Sequence, residues 1–274
     1  MAMSGVRALV LAGFGINCEE ETAAAFRLAG ASATVIHLNS VLSGEWRLSD
    51  FQVVALPGGF SFGDDLGAGK ALANRLRYRR VGGGERMLDA LRGFLARGGY
   101  VLGICNGFQA LVKMGLLPDV GGEQRQEVTL ARNDCGHFVD RWVYCRVTRP
   151  GATPFLEGMG VVALPVRHGE GKVVVREGVV ADRIVEQGLD CLGYCDEGGE
   201  GACGFPANPN GSWRDCAGLT DRSGQVFGLM PHPEAFLSLY NHPDWPCLVR
   251  ECPEMGEEGG GLRLFRNIVR HLGG

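Results

Sequence analysis

The chain is short of net charge, of histidine and of long apolar runs. Lys plus Arg number 27 against 31 Asp plus Glu, a formal net charge of −4. That balance provides no basic field for nucleic acid or an anionic membrane surface. No apolar stretch approaches the roughly 18–20 residues that a membrane-spanning helix needs. The first apolar run, Ala8–Ala12, is short and is preceded by a single basic residue, Arg7. It reads as a buried strand and not as a secretory signal. The expected compartment is the cytoplasm, where thiols stay reduced. With 6 histidines in all, the choice of a general base is narrow.

Glycine and cysteine, by contrast, are abundant: 44 and 10 in 274 residues. Glycine stands at about twice its average usage, without a Gly-X-Y period, so a collagen-like chain is excluded. A 45% hydrophobic content is that of an ordinary globular protein, and a chain this long buries a core without disulfides. Most of the cysteines are therefore expected as free, buried, small apolar residues. Cys191, Cys195, Cys203 and Cys216 have no Cys-x2-Cys knuckle and no histidine near them in sequence, so no metal site is expected. Asn210-Gly211-Ser212 matches a glycosylation acceptor, which has no meaning in a reducing compartment.

Strand-like runs at Val6–Ala12, Ala33–Leu38, Phe51–Leu56 and Tyr100–Ile104 alternate with helical patterns. Those patterns run from about Glu19 to Gly30, over Leu66–Tyr78, over Glu85–Arg97 and over Asn106–Met114. Asn17 is the expected cap of the first helix, followed by the acidic run Glu19–Glu21. This alternation predicts an α/β fold with a doubly wound, mostly parallel sheet flanked by helices. Beyond Glu127 the pattern changes to short strands at Val128–Ala131, Phe138–Val147, Val161–Val166, Lys172–Arg176, Leu189–Tyr194 and Val226–Leu229, expected as added antiparallel strands. Asp196–Ser212 reads as a long loop, and Leu262, Phe265, Ile268, Val269 and Leu272 mark one face of a C-terminal helix. With no repeat and no linker, residues 1–274 are expected to form a single domain.

Candidate chemistry concentrates in Gly103-Ile104-Cys105-Asn106-Gly107, which follows a buried strand and opens a helix. This is a cysteine form of the nucleophile elbow, in which glycines on either side let the backbone bend tightly. The helix N-terminus there favours a thiolate, and the Asn106 N–H is placed for an oxyanion hole. The bland alternative is one buried thiol among ten. A thiol nucleophile needs a proton shuttle. His232, in Met230-Pro-His-Pro-Glu234 directly after a strand, is the strongest candidate, with Glu234 able to orient it; His137 and His168 are weaker ones. Pro57-Gly58-Gly59 ends the third strand, where such sheets line a ligand crevice, so Gly58 and Gly59 are candidate second donors to the oxyanion.

Pro57-Gly-Gly-Phe-Ser-Phe-Gly-Asp64, Gly103-Ile-Cys-Asn-Gly-Phe-Gln109, His168-Gly-Glu-Gly171, Asn208-Pro-Asn-Gly-Ser212 and Met230-Pro-His-Pro-Glu234, in this order, resemble class I glutamine amidotransferases. Among these they resemble the glutaminase subunits of phosphoribosylformylglycinamidine synthases of purine biosynthesis. The resemblance runs from about Val6 to Phe236. It implies a Cys105–His232–Glu234 triad that hydrolyses glutamine to glutamate and ammonia. It also implies substrate contacts at Gln109, Asn133 and Phe138, and no cofactor or metal on this chain. The implied partner is a synthetase subunit holding ATP and Mg2+, which converts formylglycinamide ribonucleotide to the formylglycinamidine; a small third subunit is a further candidate. Segments 75–84, 196–206 and 251–261 look like loop insertions, and Phe62 stands where many members have Tyr. His168–Gly171 is expected as an active-site wall or a subunit contact. Two rival readings share the fold. Another cysteine hydrolase is disfavoured because such enzymes usually draw their histidine from just after the nucleophile, where Asn106 stands. A non-catalytic binding subunit is disfavoured by the intact Cys, His and Glu.

Overall fold

The computed structural model describes residues 5–251, 254 and 256–273. Cys252, Pro253 and Met255, inside the 251–261 segment singled out above, lie outside the described residues. The first half alternates as expected: β1 (Arg7–Ala12), α1 (Glu19–Leu28), β2 (Ser32–His37), α2 (Leu38–Ser43), β3 (Val53–Leu56), α3 (Lys70–Tyr78), α4 (Met87–Ala96), β4 (Tyr100–Ile104) and α5 (Asn106–Met114). The second half carries β5 (Val128–Ala131), β6 (Val139–Val147), β7 (Val161–His168), β8 (Lys172–Val175), α6 (Val179–Glu186), β9 (Leu192–Cys195), β10 (Cys216–Thr220), β11 (Val226–Leu229), α7 (Trp245–Glu251) and α8 (Leu262–Gly273).

One sheet has the order β2-β1-β3-β4-β11-β10-β9-β6-β7, and β5 and β8 form a separate antiparallel pair. From β2 to β11 every neighbour is parallel; from β11 to β7 every neighbour is antiparallel. This is the α/β sheet with added antiparallel strands that the alternation predicts. All four residues of β3 and of β11 are buried, as in strands covered by helices on both faces. Phe26 of α1 and Phe265 of α8 meet edge to face at 5.0 Å and close one outer layer.

Several local expectations are corrected. Asn17 does not cap α1. Cys18 takes the cap position without a side-chain bond, because the Asn17 and Cys18 N–H groups both donate to the Gly58 carbonyl, at 3.2 and 3.3 Å. The Leu66–Tyr78 helix starts at Lys70, since Gly67 and Gly69 both take left-handed φ and break the first turn. The sequence gives no warning of α2, α6, α7 or β10. Strand β10 is buried throughout, so it carries no alternating pattern to read.

Close approach explains the glycines of the elbow. A Cβ on Gly107 would lie 1.8 Å from the Leu56 carbonyl oxygen, and one on Gly103 would lie 2.5 Å from Leu111 Cδ1. Helix α5 thus rests directly on the end of β3. Gly107→Ala is expected to lower stability by about 3 kcal/mol or more, since backbone must shift to admit the methyl. Gly160→Ala, which meets open space, is expected to be near neutral. Thermal denaturation of the two variants side by side checks both.

Candidate active site

The carboxyl ends of β1, β3, β4 and β11 open onto one crevice, the usual ligand position in a parallel sheet. Cys105 leaves β4 with φ 50° and ψ −104°, a left-handed conformation costly for a residue with a side chain. Its N–H donates to the Leu229 carbonyl at 2.8 Å, extending the β4–β11 pairing by one residue. Three residues past Leu229 stands His232, whose own N–H donates to Pro165 O of β7 at 2.8 Å. Imidazole and elbow thiol are thereby delivered to the same edge from distant parts of the chain.

His232 Nδ1 lies 2.6 Å from Glu234 Oε1, and both residues are buried. Burial alone would push the imidazole pKa down; the Glu234 carboxylate, and after it the Cys105 sulfur, overcome this and hold it well above the ordinary value. Among the described residues, His232 Nε2 and Glu234 Oε2 are buried without a hydrogen-bond partner. With Nδ1 committed to Glu234, Nε2 is the nitrogen left for proton transfer. Gly58 supports the ring from below: a Cβ there would sit 2.6 Å from His232 Cε1. The sulfur of Cys18 is 4.0 Å from Nδ1, a neighbour for which the sequence offered no signal. Cys18, His232 and Glu234 place one ligand atom each within 4.8 Å of one another. While Nδ1–H donates to Glu234, that nitrogen has no lone pair to offer a metal.

Asn106, first residue of α5, offers one of the N–H groups that a helix leaves unpaired at its start. Its side chain is fully engaged: Oδ1 accepts from Ser61 N at 3.1 Å, and Nδ2 donates to Gln109 Oε1 at 2.9 Å and Asp64 Oδ1 at 3.1 Å. Burial foremost, then the nearby Glu170 charge, raises the Asp64 carboxyl pKa against these hydrogen bonds. Gln109 Nε2 donates to the Glu170 carbonyl, so both ends of its amide are bonded within the protein.

Two adjoining cavities, ≈ 180 and ≈ 240 Å³, share Gly59, Phe60, Cys105, Phe138 and Arg167. Gln109 and the segment Arg167–Glu170 line the first, and His232 and Cys18 line the second. His168, Gly169 and Glu170 of the His168–Gly171 segment thus wall this cavity. Phe138 faces the site; Asn133 lines neither cavity. Its Oδ1 accepts from Gly171 N and His168 Nδ1, each at 3.1 Å, and its Nδ2 donates to His168 O at 2.8 Å and His137 O at 3.1 Å. Asn133 shapes the wall from behind. A larger cavity, ≈ 430 Å³, lies beside Trp46 and Met87 and has no thiol or imidazole in its lining.

Thiol, imidazole and carboxylate at the carboxyl edge of a parallel sheet are the apparatus of acyl transfer through a thioester, the chemistry of the amidotransferase class. The sequence model of the CobB/CobQ-like glutamine amidotransferase domain matches residues 5–272. The chain belongs to this family and, within it, to the PurQ group. It is 41% identical over 268 residues to the phosphoribosylformylglycinamidine synthase subunit PurQ of Dehalococcoides mccartyi, covering 98% of each chain. With the same subunit of Methanococcus maripaludis it shares 36% over 277 residues, covering 97% of each. In the structure of PurLQS from Thermotoga maritima, one chain superposes with a TM-score of 0.70 at 28% identity, over 98% of this chain and 100% of that one.

His168 gives the site a pH signature. Burial, reinforced by the His232 charge, lowers its pKa to about 4. Nδ1–H donates to Asn133 Oδ1, while Nε2 faces Asn210 Nδ2 at 3.5 Å. The unfolded chain protonates this histidine first, so stability falls as pH drops through about 6.5 and levels off below about 4, losing on the order of 3 kcal/mol. Denaturation midpoints from pH 7 to 4 should decline less steeply in His168→Gln than in the parent protein.

Proposed function

We propose that this chain is the glutaminase subunit of a phosphoribosylformylglycinamidine synthase, in which Cys105, His232 and Glu234 form the catalytic triad. Full-length similarity to PurQ subunits, together with the elbow thiol beside a Glu234-bonded imidazole, carries this reading. Cys105 Sγ gives its proton to His232 and attacks the side-chain amide carbon of glutamine. The N–H groups of Gly59 and Asn106 hold the resulting oxyanion, with Gly58 keeping the loop against the imidazole. The tetrahedral intermediate collapses to a glutamyl thioester as His232 passes its proton to the departing ammonia. Water, deprotonated by His232, then opens the thioester to glutamate and restores the thiol.

The ammonia passes to a synthetase subunit, which holds ATP and Mg2+ and converts formylglycinamide ribonucleotide to the formylglycinamidine. A small third subunit completes the complex, as the PurLQS assembly suggests. No helix among the described residues is long and apolar enough to cross a membrane, which suits a cytoplasmic step of purine synthesis. We assign the whole activity to one amidotransferase domain, residues 1–274, with insertions near 75–84, 196–206 and 251–261, the first of which begins within the last turns of α3.

In the assembled complex, amide-15N glutamine should label the amidine nitrogen of the product. Cys105→Ala should abolish glutamate release while free ammonia still supports synthesis. Glu234→Gln should lower glutaminase kcat by about 10²- to 10⁴-fold, having lost the group that orients the base. Glutaminase turnover surviving Cys105→Ala sinks the thioester route; turnover without label in the amidine sinks the pathway assignment alone.

A further inference from the structure

The ≈ 430 Å³ cavity beside Trp46 takes no part in the chemistry above. Its size is that of a small-molecule site, and it shares no lining residue with the two cavities at Cys105. A neighbouring cavity of ≈ 280 Å³ shares its Ser49 and Arg97 and reaches Gln52 and Gly99. Those last two residues immediately precede β3 and β4. The joined cavities thus lie toward the amino edge of the sheet, while the elbow stands at its carboxyl edge.

One wall comes from the segment that looks like an insertion at 75–84, through Val81 and Gly82, with Glu85 just beyond. This arm is fastened in two ways. Arg80 and Arg86 form an antiparallel bridge, and the Gly82 N–H donates to the Leu42 carbonyl of α2 at 2.9 Å. The stretch after α2 supplies Trp46 and Arg47, and α4 with its end supplies Gly93 and Arg97. Glycine inside a helix is costly. A Cβ on Gly93 would lie 3.2 Å from Arg97 Nη1, so the guanidinium folds over the space that the missing side chain leaves beside the cavity. Among the described residues neither Arg47 nor Arg97 has an ion pair or a side-chain hydrogen bond. Two cations therefore face one acid, Glu85, in a chain of net charge −4. The Trp46 ring leans on Phe51, with 6.1 Å between centroids, and stays 36% exposed.

We propose that this cavity binds a nucleoside monophosphate, with Arg47 and Arg97 on the phosphate and the Trp46 indole against the base. Two guanidiniums without partners suit a doubly charged oxyanion, since each presents paired N–H donors. An indole steadied by a second ring is a stacking platform for a planar heterocycle. Ser49 and Glu85 offer a hydroxyl and a carboxylate to the sugar hydroxyls. Phosphate alone would leave the indole uncovered, and a nucleoside alone would leave both guanidiniums unpaired. The site is separate from glutamine hydrolysis and does not depend on the glutaminase reading.

Calorimetric titration of the full chain with AMP, adenosine and inorganic phosphate tests the proposal. AMP should bind with a Kd between about 10 μM and about 1 mM, and adenosine and phosphate each about tenfold more weakly or worse. Arg47→Gln and Arg97→Gln should each weaken AMP about tenfold and leave adenosine unchanged. Trp46→Ala should weaken AMP and adenosine alike. All three side chains are exposed, and thermal denaturation shows whether each variant folds as the parent does. Gly93→Leu keeps the test standing should one of them misfold. It puts a helix-favouring side chain where the Arg97 guanidinium lies, so it should lose AMP binding without losing thermal stability. A parent chain that binds no AMP at about 10 mM overturns the proposal. Phosphate binding as tightly as AMP also overturns it, as does AMP binding that folded variants leave unchanged.

Discussion

The site hangs on the hydrogen bond from the Cys105 N–H to the Leu229 carbonyl. It pairs β4 with β11 one residue beyond the regular ladder. Two segments far apart in sequence therefore end at the same height, one in a thiol and the other in an imidazole three residues on. β4 is parallel to both of its neighbours, and parallel pairing aligns carboxyl ends where antiparallel pairing would put them on opposite edges. The left-handed turn at Cys105 is tolerated because α5 is pinned beneath it, Gly107 lying against the Leu56 carbonyl. Strain at the elbow thiol and tight packing behind it are one arrangement.

Around this point the protein satisfies nearly every buried polar group and leaves a few unpaired. Ser212 Oγ donates to Asn210 Oδ1 at 2.6 Å and accepts from Val173 N at 2.9 Å, and Asn210 Nδ2 donates to the Tyr194 hydroxyl at 3.1 Å. Asn208 Nδ2 donates to the Ser212 carbonyl at 3.1 Å. This network continues through His168 and Asn133 to the wall of the cavity. A buried network satisfied to this degree is rigid, because any rearrangement strands a donor in a poor dielectric. Against that background His232 Nε2 and Glu234 Oε2, without partners among the described residues, are informative. His232 lines the same cavity as the Cys105 thiol, and Glu234 is bonded to the other side of its ring.

Local signals in the sequence reveal the elbow and the His232-Pro-Glu234 turn, since each is made by residues close along the chain. Strand β4 and helix α5 have the expected boundaries, as alternation of a buried strand with an amphipathic helix leaves little ambiguity. What the sequence hides is lateral. Nothing near Cys18 announces that its sulfur will meet an imidazole 214 positions away. The alternation in β6 shows that Phe138 and Asp140 share a face. Only the order β9-β6-β7 and the pairing of Asp140 with Arg167 show which face overlooks the elbow thiol. The place of Asn133 is lateral too: the hydrogen bonds that hold its side chain behind His168–Gly171 come from residues 4 to 38 positions away. Strand β10, apolar on both faces and short, offered no period at all.

Cys18 and Cys105 flank the same imidazole, and their settings separate their roles. Cys18 lies at the cap of α1, but burial pushes its thiol pKa up more than the His232 contact lowers it. Its burial thus disfavours the thiolate form. Its N–H is tied to Gly58 O, and a Cβ on Gly58 would come within 3.3 Å of its sulfur. The Gly58 loop, the cap of α1 and the imidazole consequently pack as one unit. A larger residue at Gly58 or Cys18 would move the ring before it touched the substrate. Small size at those two positions, and not reactivity, is what the geometry requires of them. Cys105 differs from Cys18 in backbone, sitting at the strained end of a strand, with Arg167 and Asp140 lining the same cavity.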